Sequence, residues 1–105
     1  MSVPDFQSFM LPLLKRCADG QEHPLIDFRA TLSKDMDISE EDLAEKLPSG
    51  TQTKYENRIY WSAIYLYKAG ALSRIRRGVF QITERGKQLL VGDPIRISIN
   101  AEPVP

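Results

Sequence analysis

Apolar residues at Phe6, Phe9, Met10, Leu13, Leu14 and Cys17 recur at the i, i+3, i+4, i+7, i+8 and i+11 spacing of one helical face. This predicts an amphipathic helix ending at Ala18–Gly20. Pro12 lies inside it and removes the amide that would bond the carbonyl of Ser8, so a bend or a late start to the regular helix is expected there. A second helix is predicted over 22–36, with Leu25, Phe28, Leu32 and Met36 on one side and Pro24 in the first turn, where a missing N–H does no harm. His23 is then a surface residue at a helix start. A third helix is predicted over 38–47: Ser39 and Asp42 resemble a capping box, Ile38 can staple onto Leu43, and acidic residues crowd the first turn, where the helix dipole favours them.

The break "PSGTQT" leads into the longest helical pattern, 54–70, which Gly70 can end in a left-handed conformation. Tyr55, Ile59, Ser62, Leu66 and Ala69 mark its inner face, widened by Trp61 and Tyr65, while Lys54, Asn57, Tyr60, Ile64 and Lys68 mark the opposite side. "ALSRI", the turn "RRG" and "VFQIT" read as a β-hairpin, after which Thr83 caps a short helix. The segment from Gly92 holds three prolines and little periodicity, which suggests a linker or tail over 92–105 behind one domain over 1–91. Three helices, a long helix with a polar start, a hairpin and a closing helix make a mainly α fold with a small β-hairpin (α+β). Their order is that of a winged helix-turn-helix, in which a long helix can enter the major groove of a duplex.

The formal net charge of +0 argues against a nucleic-acid partner until it is divided. Residues 1–50 hold five Lys or Arg against ten Asp or Glu, and residues 51–105 hold nine against four, so the halves carry −5 and +5. An asymmetry of this kind points to an anionic partner for the basic half. No apolar run approaches the ~18 residues of a membrane span, and the opening "MSVPDFQSF" lacks the pattern of a signal peptide, so a cytoplasmic protein without membrane contact is expected. The single cysteine and the single histidine, Cys17 and His23, give no metal-ligand spacing, and no cofactor is expected. Cys17 reads as a small buried hydrophobe.

Within the basic half, Arg74, Arg76 and Arg77 surround the hairpin turn, and their guanidinium forks match phosphate oxygens. A solvated turn is the alternative, because edge strands often carry basic residues to discourage pairing. The neighbouring long helix tips the balance towards phosphate. Its start, "SGTQTKYENR", offers amides and the positive end of the helix dipole to an anion. Gln52 and Asn57 are types that read adenine edges, Arg58 suits guanine or else a salt bridge or a stem packed beside the core, and Lys54 suits phosphate, whereas Ser49, Thr51 and Thr53 read first as caps. Tyr60, Trp61, Tyr65 and Tyr67 follow helical spacing, which favours packing over single-strand stacking. The acids of "SEEDLAE" are accounted for by a helix start, and no nucleophile, base and orienting group assemble in the chain.

The opening "FMLPLL", "LPSG" before the long helix, "NR" and then Trp61 within it, "KAG" at its end, and "RGVFQIT..G" occur in that order. Over roughly residues 4–90 the sequence resembles the N-terminal domain of Mrr-type restriction endonucleases. The resemblance implies a winged-helix domain that binds double-stranded DNA and places a separate nuclease domain, in cis or in trans, on DNA that can carry modifications. The catalytic motif of the family lies in that second domain, so no enzymatic activity is expected of this chain. By the same resemblance Asn57, Arg58, Arg76 and Arg77 are expected to contact DNA, joined on residue type by Gln52, Thr53, Lys54 and Arg74. The competing expectation is a protein-interaction or homodimerisation module that does not bind DNA, favoured by the acidic half and by Tyr60 and Ile64.

Overall fold

The computed structural model describes residues 3–92, so the expected linker or tail lies outside the described residues beyond Gly92. Helix α1 (Phe6–Arg16) is continuous through Pro12, and the side chain of Asp5 caps it by accepting from the Ser8 amide. Phe9, Met10, Leu13, Leu14 and Cys17 retain 0% of their exposure. The apolar stripe therefore outweighs the single amide lost to proline. Around α1 stand α2 (Phe28–Asp35), α3 (Glu40–Ala44), α4 (Lys54–Lys68) and α5 (Glu84–Val91).

Helix α4 buries Tyr55, Ile59, Ser62, Tyr65 and Leu66 of the inner face expected from its periodicity and adds Ala63, while Ala69, its C-cap, is only partly buried. The Tyr65 ring stacks on Phe6 at 4.6 Å, and the buried Ser62 hydroxyl donates to the Ile59 carbonyl. Tyr55 donates its phenolic proton to the carbonyl of Arg29, which pins the start of α4 to the start of α2. Trp61 is only partly buried against the core. Gly70 adopts φ +82° and ends the helix as expected.

The second predicted helix is corrected at its start. Residues 22–27 are not α-helical: His23–Pro24 form strand β1, Leu25–Asp27 a single 3-10 helical turn, and α2 begins at Phe28. A residue before proline is pushed away from helical geometry, and Pro24 is itself extended at ψ 141°. The strand is completed by partners far along the chain, His23 opposite Phe80 and Pro24 opposite Val79. His23 is thus half-buried in a sheet, bonded at 2.8 Å to Asp19, and its ring stacks near Phe28. The third helix ends at Ala44, three residues early, because Glu45 turns extended and Lys46 bridges to Thr53. Its cap is as expected: the Ser39 side chain accepts from the Asp42 amide.

Strands β2 (Leu72–Arg76) and β3 (Val79–Ile82) form the hairpin, and the antiparallel sheet runs β1-β3-β2. The chain turns at Arg77–Gly78, with Gly78 at φ +78°, where a residue without Cβ is needed. The order α1, β1, α2, α3, α4 and hairpin is mixed helical with a small three-stranded sheet, a winged-helix-like arrangement. No helix among the described residues is long and apolar enough to cross a membrane.

The hairpin base is tied to the last helix at one point. Thr83 caps α5 by accepting from the Gly86 amide and donates its hydroxyl to the Gly70 carbonyl, while its own amide bonds Ala71. Gly86 lies against the Ala71 carbonyl, and a Cβ there would overlap that oxygen and the Ile82 side chain. Gly86→Ala is therefore expected to cost about 1–3 kcal/mol through forced separation of α5 from the hairpin, measured by chemical denaturation.

Arg16 holds Asp35 in a two-pronged pair at 2.6 and 2.7 Å, joining the ends of α1 and α2. The guanidinium lowers the Asp35 carboxyl, His23 lowers Asp19, and Lys54 lowers Glu45. Carboxyls lowered by folding stabilise the native state above their unfolded range, and that contribution disappears as pH falls through the lowered values. Melting temperature should decline from about pH 5 to about pH 2, and Asp35→Asn should make the decline shallower.

Candidate nucleic-acid interface

Local sequence fixes the start of α4. The turn Pro48–Thr51 is closed by the Gly50 amide on the Leu47 carbonyl, and Gly50 has φ +73°. Thr53 accepts from the Glu56 amide and so acts as the N-cap. Lys54 pairs with Glu45 at 2.7 Å, and its amide also bonds the Glu45 carbonyl. Glu56 pairs with Arg29 of α2 at 3.0 Å. Next to these pairs runs a polar string: Asn57 donates to Gln52 at 3.5 Å, and Arg58 donates to the Asn57 amide oxygen at 2.8 Å.

The hairpin divides its arginines. Arg74 pairs with Phe80 and Arg76 with Val79, so Ile75 is an extra residue in β2. Phe80 and Val79 are adjacent on β3 and point to opposite faces, so the bulge separates two arginines that an unbroken strand would align. Arg76 reaches back to Glu22 at 3.1 Å. Arg74 and Arg77 have no carboxylate partner among the described residues. They line a groove of about 420 Å³ together with Leu25, Tyr60, Ile64, Gly78 and Phe80.

A second concavity of about 300 Å³ continues along α4 past Gln52, Glu56, Ile59 and Tyr60 to Arg29, and it shares Leu25 and Tyr60 with the first. Glu56, Tyr60 and Ile64 succeed one another at four-residue intervals, so one edge of α4 borders both concavities, with Gln52 ahead of the helix lining the second. Tyr60 and Tyr67 are 44% and 43% exposed.

The structure thus places the sequence-derived residues in three groups. Gln52, Asn57 and Arg58 come together as one string at the start of α4, and Arg74 and Arg77 line one groove with Tyr60 and Ile64. Thr53, Lys54 and Arg76 are each engaged within the fold, in a cap or an ion pair. Leu25 and Phe80 were missed as lining residues. The four-residue repeat from Glu56 to Ile64 marks the edge of α4, but nothing local in the sequence brings Leu25 to it.

The charge split along the chain partly cancels in space, since Glu45 and Glu22 from the acidic half neutralise Lys54 and Arg76 from the basic half. Among the described residues no group of three or more His, Cys, Asp or Glu side chains is placed to hold a metal ion. A profile of the Mrr N-terminal domain matches residues 6–91, the whole span from α1 to α5. The chain belongs to that family. No curated protein and no solved structure matches this Mrr N-terminal domain at a significant level. Glu22→Gln in the Mrr N-terminal domain should free Arg76 and raise affinity for a polyanion such as heparin two- to fivefold, since an exposed pair is worth about 1 kcal/mol or less. Elution in a salt gradient from a heparin column measures it.

Proposed function

We propose that this Mrr N-terminal domain binds double-stranded DNA and acts as the non-catalytic recognition part of a restriction system, placing a nuclease domain in cis or in trans. The observation that carries the reading is the pair of guanidiniums, Arg74 and Arg77, which have no carboxylate partner among the described residues and line a groove with Tyr60 and Ile64 of α4. In winged-helix folds the long helix occupies the major groove while the hairpin follows the backbone. Arg74 and Arg77 then take phosphates, and the string of Gln52, Asn57 and Arg58 faces base edges.

The exposed rings of Tyr60 and Tyr67 favour a second reading, docking of a protein or of a second copy on the same helix. Fluorescence anisotropy of a labelled duplex, titrated at several salt concentrations, separates the two. On the DNA reading, log affinity falls linearly with log salt, and Arg74→Ala and Arg77→Ala each remove about 0.9 from the slope. Arg76→Ala should change the slope less, because Glu22 already holds that side chain. Absence of duplex binding at low salt, with a mass that doubles with concentration in light scattering, would instead support the docking reading.

A further inference from the structure

Two features of α4 remain after phosphate contacts are assigned. The first is the state of the Asn57 amide. Its oxygen already accepts one hydrogen bond from Arg58, and its nitrogen already donates one to Gln52. A side-chain amide has two acceptor sites and two donor hydrogens, so one of each is left, and the two neighbours fix which end of the amide is which. One acceptor and one donor, unused among the described residues, are what the major-groove edge of adenine requires, with its N6 amino group and N7.

The second feature is apolar. Tyr60 and Ile64 follow Asn57 at three and seven residues along the helix, and both border the groove beside Arg74 and Arg77. Cationic groups next to an apolar surface suit a partner that is charged at its edge and apolar inside. In the major groove of a duplex, the only apolar group a base pair presents is the C5-methyl of thymine. From Asn57 to Ile64 the helix rises about 10 Å at ~1.5 Å per residue, close to three base steps at ~3.4 Å.

We propose that α4 reads a short run of A·T pairs, about three long, with Asn57 on an adenine edge and Tyr60 and Ile64 on thymine C5-methyl groups. This rests on the duplex-binding reading above and adds the base composition of the site. Gln52 and Arg58 act as positioning residues, since they orient the amide without needing to touch a base.

The test compares three labelled duplexes of one length by anisotropy: an A·T-rich duplex, the same duplex with deoxyuridine for every thymidine, and a G·C duplex. Deoxyuridine removes only the methyl groups. Affinity should fall about fourfold for each methyl in contact, the burial value of one such group. The G·C duplex should bind at least tenfold more weakly than the A·T duplex. Tyr60→Ala, on an exposed residue, should shrink the thymidine-to-uridine ratio, and Asn57→Ala should shrink the A·T preference while keeping part of that ratio. Circular dichroism melts confirm that both variants fold.

Tight, salt-dependent binding that is equal for thymidine and deoxyuridine would overturn this proposal and leave the duplex-binding reading standing. A G·C duplex carrying 5-methylcytosine presents the same methyl without adenine. If it binds as tightly as the A·T duplex, the assignment of Asn57 to adenine is overturned. No binding to any duplex overturns both readings together.

Discussion

The structure depends on the near-complete enclosure of one helix. Five side chains of the first eleven-residue helix and its C-cap, from Phe9 to Cys17, have no contact with solvent, and α4 supplies the largest apolar surface against them. Burial on this scale fixes the rotation of α4 about its own axis, because turning it would expose Ile59 and Leu66. That rotation decides which residues remain outside. Asn57, Tyr60 and Ile64 are available to a partner because Tyr55, Ile59, Ser62 and Leu66 are not. Burial also silences Cys17, whose thiol is pushed up to about 12 by desolvation, with the nearby Asp19 adding to the effect.

Charge is organised on top of this frame. Exposed pairs such as Arg76 with Glu22 add little to stability, but they decide which cations are free to act. Of the three hairpin arginines, one is held by a carboxylate and two are left facing the groove. A neutral chain can therefore present a positive surface without excess basic residues.

Much of the frame was legible in the sequence because it rests on local rules. The stripe of α1, the inner face of α4, the caps at Ser39, Thr53 and Thr83, and the glycines at positions 70 and 78 each follow from spacing or from a backbone requirement within a few residues. What escaped is long-range. Strand β1 is two residues long and exists only because Phe80 and Val79 arrive beside it, more than fifty residues later. The same distance hides the pairing of Arg76 with Glu22. The bulge at Ile75 was also hidden, since an alternating pattern does not show where one strand carries an additional residue. Three neighbouring arginines in sequence look like one patch, and the bulge divides them.

That small first strand changes how the hairpin is held. In addition to the β1 pairing, the Leu25 amide bonds the Gly78 carbonyl at the hairpin tip, and Gln81 donates to the Gly20 carbonyl at its base. The hairpin is therefore stitched along its length to the segment that leads into α2, and cannot swing as an independent flap. Its separation from α4 is set when the chain folds. On the proposed duplex-binding reading, such a preorganised cleft loses little conformational freedom when a partner enters it, and it measures that partner like a fixed caliper, accepting one width and penalising every other.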